Sequence, residues 1–249
     1  MSSEKFFIRP FETPADHRQC EHIQEVTWSH EEVVPSNITI ALTQHGALAL
    51  GAFAPDGSML GMVFSFLSPA HVPGAKHGLS HHSHMAAVLP DYRGQGVGEA
   101  LKREQAKCLL ARDINLVTWT YDPLEAKNAN LNINKLGCIC RTYIENCYGE
   151  MRDELNAGLP SDRFEVEWWL DDSGPRVLSS SRAIDIPLDF QSLKKLDLTL
   201  AKQVRLQTRA QFTAAFADGY VVVRFERLSE HGRYHLAKLV DPQPHPRPQ

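Results

Sequence analysis

The sequence predicts an α/β fold built on a mainly antiparallel sheet, and three observations carry that expectation. Two apolar runs, 47–53 and 59–67, are joined by Ala54-Pro55-Asp56-Gly57, the turn chemistry of an antiparallel hairpin. A strand candidate over 81–89 leads into the glycine-rich turn Arg93-Gly94-Gln95-Gly96-Val97-Gly98. A helix with apolar residues at Val97, Ala100, Leu101, Cys108 and Leu109 starts there. A second hairpin, 220–227 with 234–240, closes the patterned part of the chain.

The remaining elements follow in order. A short strand over 6–9 precedes a helical pattern over 17–28. After the glycine-rich turn and its helix, 114–120 reads as a buried strand closed by Asp122-Pro123. Residues 126–136 read as a helix ended by Gly137, with Lys135 in the last turn where the helix dipole favours a cation. Residues 138–144 and 164–170 read as two more strands. At Asp171-Asp172-Ser173-Gly174-Pro175 and Ser179-Ser180-Ser181 the composition turns to that of a surface linker. Beyond it, Leu193, Leu196, Leu200, Val204, Phe212 and Phe216 mark a helix. The sequence thus predicts a main domain over 1–170, a smaller helix–hairpin extension over 171–240, and a disordered proline-rich tail over 241–249.

The 249 residues carry 26 Lys and Arg against 30 Asp and Glu, a net charge of −4 that argues against a dedicated nucleic-acid binder. The longest mostly apolar stretch, 47–54, is far short of the ~18 residues of a membrane span. The N-terminal MSSEKFFIRP has no long apolar core of a signal peptide, so a cytoplasmic protein is expected. Five cysteines (Cys20, Cys108, Cys138, Cys140, Cys147) without a second pair at zinc spacing point to reduced, buried thiols rather than disulfides or a metal site. No metal is expected.

In 85–98 a strand runs into a turn whose glycines let a ligand approach the backbone, and a helix N-terminus follows. Backbone N–H groups backed by a helix dipole suit a pyrophosphate. The spacing Gly94-x-Gly96-x-Gly98 is not that of dinucleotide folds, and no Gly-Lys-Ser/Thr follows for a P-loop.

The segment resembles the acyl-CoA turn of the GNAT acetyltransferase superfamily, Arg/Gln-x-x-Gly-x-Gly/Ala, here Arg93 to Gly98, and the element order over 1–170 is similar to a GNAT domain. The resemblance implies a sheet splayed between its fourth and fifth strands. It also implies acetyl-CoA or another acyl-CoA as co-substrate, with Ala86, Ala87 and Val88 holding the pantetheine and Arg93, Gly94, Gln95, Gly96, Val97, Gly98 and Glu99 the pyrophosphate. The segments 82–85, 118–124, 132–137 and 156–164, and the extension from Ile186-Pro187 to Gly219-Tyr220, are similar to one GNAT branch. Some of its members N-succinylate D-amino acids from succinyl-CoA.

Acyl transfer to an amine needs a base, a polarised thioester and a proton for the leaving thiolate. Imidazole titrates near the working pH. His82 and His84 fall on one strand face and resemble the histidine pair of serotonin N-acetyltransferase. The alternative is a pair of satisfied polar residues at a strand entrance. Counting back from Lys135-Leu136-Gly137, the family's tyrosine falls on Ile133 and its asparagine on Ala126, with Asn128 a half-turn later to take over that contact. The thiolate proton is then left to Tyr143, Tyr148 or water, against a plain aromatic-core role for either tyrosine. Asp122 can orient the amine or merely cap the turn at Pro123. Arg141, Arg152 and Arg163 are candidates for an acceptor carboxylate, against ordinary surface salt bridges.

The expected function is N-acyl transfer of an acetyl or succinyl group to a primary amine of a small molecule, an amino acid among the candidates. The rivals are a protein or peptide N-acetyltransferase and a non-catalytic CoA-binding sensor or scaffold. The extension is expected to cover the cleft or build an interface, which leaves a homo-oligomer open.

Overall fold

The computed structural model describes residues 6–28, 30, 33–149 and 158–240. It falls into two compact units, the first made of the described residues up to Ala70 with Ala75–Val117, the second of His71–Gly74 with the described residues from Thr118 on.

The first unit is an antiparallel meander with three helices. β1 (Phe7–Pro10), β2 (Leu48–Phe53), β3 (Met59–Pro69) and β4 (Leu79–Val88) pair in sequence order. Helix α1 (Pro14–Thr27) starts at a capping box, in which the Thr13 side chain accepts from the Asp16 N–H and the Asp16 side chain accepts from the Thr13 N–H. Its Cys20 and Ile23 pack with Phe53, Met62, Phe64, Met85 and Ala87 in one buried cluster. Helix α2 (Ser36–Gln44) is not expected from the sequence. Its Ile38, Thr39, Ile40 and Thr43 are β-branched and speak weakly for helix. Helix α3 (Val97–Leu110) covers the meander, burying Val97, Leu101 and Leu109.

The second unit orders its strands β5-β7-β6-β9-β10-β8, where β5 is Leu116–Tyr121, β6 Ile139–Ile144, β7 Arg163–Trp169, β8 Arg182–Pro187, β9 Tyr220–Arg227 and β10 His231–Lys238. The β6–β7, β9–β10 and β8–β10 pairs are antiparallel. Residues 171–240 share this sheet with 118–170, since Cys140 on β6 pairs with Val222 on β9. The helix expected over 126–136 is one α-turn, α4 (Ala126–Ala129), that widens into a π-helical turn over Asn130–Lys135. The single helix expected around 193–216 is two, α5 (Phe190–Leu196) and α6 (Leu198–Ala217). They break at Asp197, whose side chain caps α6 by accepting from the Leu200 N–H. Phe164 on β7 meets Phe212 and Phe216 of α6, Tyr143 of β6 and Tyr234 of β10, forming an aromatic core with ring centroids 4.7–5.7 Å from Phe164.

The five cysteines are free thiols. Burial pushes Cys20 up to about 12 and Cys140 well above the ordinary thiol value, which keeps both protonated and inert. No helix among the described residues is long and apolar enough to cross a membrane. The tail over 241–249 and Arg152 lie outside the described residues.

Candidate functional site

The strand that leads into the glycine-rich turn is not regular. Along β3 and β4, Phe64 faces Met85 but Ser65 faces Ser83, so His84 is an extra residue without a Cα partner. This β-bulge reorients the strand locally. Ser83 points to α3, where its Oγ accepts from Lys102 Nζ (2.8 Å) and Gln105 Nε2 (3.3 Å). Met85 is in the α1 cluster. His82 and His84 share a face, their ring centroids 6.5 Å apart and each within 6.0 Å of the Phe66 ring.

Both imidazoles are held neutral. Burial first, then the neighbouring His84 and the Lys102 ammonium, bring His82 down to about 4. Burial also lowers His84, whose side chain nonetheless stays exposed to water. Neutral imidazoles can accept a proton, and a value near 4 makes His82 a weak base that is unprotonated throughout the physiological range.

Ala86, Ala87 and Val88 complete β4, paired with Val63, Met62 and Gly61. Ala86 is exposed and Val88 half-buried. The turn is clasped by its own side chains, with Arg93 Nε donating to the Val88 carbonyl at 2.9 Å and Gln95 Nε2 to the Asp91 carbonyl at 2.8 Å. Gly94 and Gly96 adopt φ of 77° and 87°, the left-handed region that a side chain disfavours. Gly96 is the residue before α3, and no side chain caps that helix start. The first N–H groups of an α-helix have no intrahelical acceptor, so this end presents donors and the positive end of a dipole. Glu99, in the first turn, is paired with Arg103 at 2.9 Å, which offsets a carboxylate otherwise opposed to an anion. Backbone donors with open space over Gly94 and Gly96 suit a phosphate-bearing ligand such as the pyrophosphate of CoA.

The other expected site residues lie in the second unit. Asp122 accepts from both terminal nitrogens of Arg205 and from the Leu124 N–H, which leaves its carboxylate engaged within the protein. Tyr148 is exposed, and its hydroxyl shares a hydrogen bond of 2.8 Å with Thr120 Oγ1. Tyr143, in contrast, donates to Asp162 at 2.7 Å, and burial with that carboxylate raises its pKa. Asn128 is exposed on α4. Ile133, where the resemblance places a tyrosine, is a buried core residue. Arg141 forms a buried two-pronged pair with Glu167, and Arg163 is buried against the Asp162 carbonyl and the Tyr148 ring. Sequence reasoning missed the contacts of Ser83 on β4 with Lys102 and Gln105 of α3, and Asp162, Arg205 and Arg209 around Tyr143 and Asp122. Only long-range folding reveals those contacts. Within the first unit a hollow lined by Leu67, His77, Leu79, His81, Arg112 and Ile114 opens at the far end of α3 from the glycine turn.

No family model matches the sequence, and no curated protein matches it. Solved structures do match. A chain of the NatC complex bound to Gag peptide and CoA is 14% identical with a TM-score of 0.54, covering 67% of this chain and 99% of that one. The ribosomal-protein-S18-alanine N-acetyltransferase from Escherichia coli is 19% identical with a TM-score of 0.51, covering 70% and 99%. Arabidopsis thaliana NAA60, in complex with a bisubstrate analogue, is 17% identical with a TM-score of 0.53, covering 66% and 97%. What the chain shares with them is the fold, the α/β architecture of GNAT acetyltransferases that the sequence predicts.

Proposed function

We propose that this chain is an acyl-CoA-dependent N-acyltransferase of the GNAT superfamily. The observation that carries the reading is the uncapped start of α3 behind the left-handed Gly94 and Gly96, directly after a bulged strand that displays two neutral imidazoles. The fold shared with acetyltransferases supports it.

The bound co-substrate supplies an acyl thioester. In this reading the backbone of Arg93–Glu99 binds its pyrophosphate and Ala86–Val88 align its pantetheine arm. The amine nitrogen bonds to the acyl carbon as the C–S bond breaks. The N–H proton passes to His82 and His84, directly or through water. We assign the proton for the departing thiolate to the exposed Tyr148 hydroxyl, whose Thr120 partner orients it. Tyr143 is already committed to Asp162. The acyl group is acetyl or succinyl, and the acceptor is a small primary amine, an amino acid among them.

A peptide acceptor is the second reading, favoured by the Gag peptide bound in the NatC structure and by the alanine acceptor named for the Escherichia coli enzyme. Thiol release from acetyl-CoA and succinyl-CoA, each against D- and L-amino acids, polyamines and peptides, tests both. Turnover with small amines supports the first and turnover with peptides alone the second. CoA binding without turnover moves the assignment to a sensor or scaffold, for which the buried Ile133 at the usual tyrosine position speaks.

A further inference from the structure

The loop that carries Tyr148 is held in place from outside itself. Asn146 there has φ of 47°, in the left-handed region that asparagine enters more readily than most side chains, and its surroundings hold it there. Those surroundings centre on Asp162, which is fully buried. Its Oδ1 accepts from the Asn146 N–H (3.0 Å) and its Oδ2 from the Tyr143 hydroxyl (2.7 Å). The neighbouring Ser161 Oγ accepts from the Tyr148 N–H and donates to the Gly149 carbonyl, both at 2.9 Å, while the Ser161 N–H donates to Asn146 Oδ1. A buried carboxylate needs a charge partner. It comes from α6, where Arg209 Nε and NH2 grip the two Asp162 oxygens at 2.9 and 2.7 Å while NH1 reaches Glu145 at the loop's start.

We propose that Arg209, acting through Asp162, is a positioning residue that fixes the Tyr148 loop, so that helix α6 sets the pose of the hydroxyl offered to substrate. This rests on the acyl-transfer reading, in which Tyr148 gives up its proton. The guanidinium fork matches the carboxylate at two points, and removing it leaves buried Asp162, the acceptor of the Asn146 N–H, without its hydrogen-bonded cation.

The test is a double-mutant cycle in the full chain. Arg209→Ala is expected to lower kcat by about 10- to 100-fold, the size of effect a misplaced catalytic group produces, with KM for acyl-CoA nearly unchanged. Arg209→Lys, which keeps a cation for buried Asp162, is expected to restore part of that loss. In a Tyr148→Phe background Arg209→Ala is expected to add almost nothing. Equal losses in both backgrounds overturn the proposal and leave Arg209 a structural residue. Hydrogen exchange provides an arm that needs no turnover. The Asn146 and Tyr148 amides are expected to exchange at least about 10-fold faster in Arg209→Ala while β9 and β10 keep their protection. Unchanged exchange at those amides also overturns it. An active wild type with an additive cycle rejects this role alone. A wild type that binds CoA without turnover rejects the acyl-transfer reading, and exchange then still decides whether Arg209 holds the loop.

Discussion

His82 and His84 stand with ring centroids 6.5 Å apart against one phenylalanine, Phe66, and His84 is the extra residue of a bulge in β4. Two imidazoles so close disfavour protonation of both, and burial lowers each further. The pair is therefore held neutral on the strand that leads to the glycine turn.

Replacing both with alanine is expected to reduce kcat with an amine acceptor by about 100-fold or more near neutral pH, while CoA affinity stays as it is. The sign of the pH dependence is fixed by the lowered value. His82 must be neutral to accept a proton, and with its pKa brought to about 4 it stays neutral as pH falls through the range where a free imidazole charges. An acid limb of the rate profile near 6.5 that vanishes in the double variant is inconsistent with a half-buried His82 base whose pKa lies near 4.

Acid sensitivity of folding is centred on His81. It is buried, its Nδ1 lies 2.9 Å from Ser65 Oγ, and burial, with the Arg112 charge, pushes it down to about 4. The unfolded chain, where the ring titrates near 6.5, binds more protons between those values. Its stabilising contribution is thus complete above about pH 6.5 and is lost as pH falls toward 4. Denaturant unfolding at about pH 7 and about pH 5 is expected to show a loss on the order of 2 kcal/mol from this group alone. His81→Gln is expected to lack that increment, and an equal pH loss in the variant rejects the assignment. His17, His82 and His84 shift in the same direction and steepen the wild-type curve.

Gly96 and Gly98 separate the demands of backbone and space. At Gly96 φ is 87° and an added Cβ meets nothing, so Gly96→Ala is costly only through conformation, by about 1–2 kcal/mol. Relief of that strain moves the helix start, and CoA affinity is expected to fall roughly tenfold or more, since the proposed site consists of backbone donors. Gly98 has no such φ, and an added Cβ meets Val88 Cγ2 at 3.6 Å, an ordinary contact. Gly98→Ala is expected to fold with wild-type stability. Thermal melts with and without CoA, side by side, measure both, and equal destabilisation of the two variants contradicts the argument.

Local signals made the elements around the turn legible. The Pro-Asp-Gly hairpin turn and the apolar runs of β2 and β3 depend on neighbours in sequence, and the glycine turn could be matched to a known pattern. Helix α2 was hidden by its β-branched residues. β8 was hidden by the serines before it, although Ile184 and Ile186 alternate and are buried. Nothing in 79–88 marks the bulge at His84, because a bulge is a property of pairing with β3 rather than of either strand. Asp162 and Arg209 are 47 residues apart, and Asp122 and Arg205 are 83, so a pattern read along the chain could not join them.

The Asp122–Arg205 pair gives an asymmetric prediction. The Arg205 side chain is 2% exposed against 13% for Asp122. Its Nε is buried with no hydrogen-bond partner, and the guanidinium lies 5.0 Å from the Phe190 ring. Removing the carboxylate takes away the hydrogen-bonded counter-charge of a buried guanidinium and leaves it the charge of Asp162 alone, so Asp122→Ala is expected to cost about 3–5 kcal/mol. Removing the arginine leaves a carboxylate that still accepts from the Leu124 N–H at 2.8 Å and lies 4.0 Å from Arg163 NH1. Arg205→Met, which also fills the space with an apolar chain, is therefore expected to cost less than half as much. Denaturant unfolding of the two variants decides between them. Equal costs mean that the pair is held by its mutual attraction rather than by the need to neutralise a buried guanidinium. If Asp122 instead orients the amine, Asp122→Asn raises KM for the acceptor far more than it lowers stability, an outcome that the closed Arg205 pair argues against.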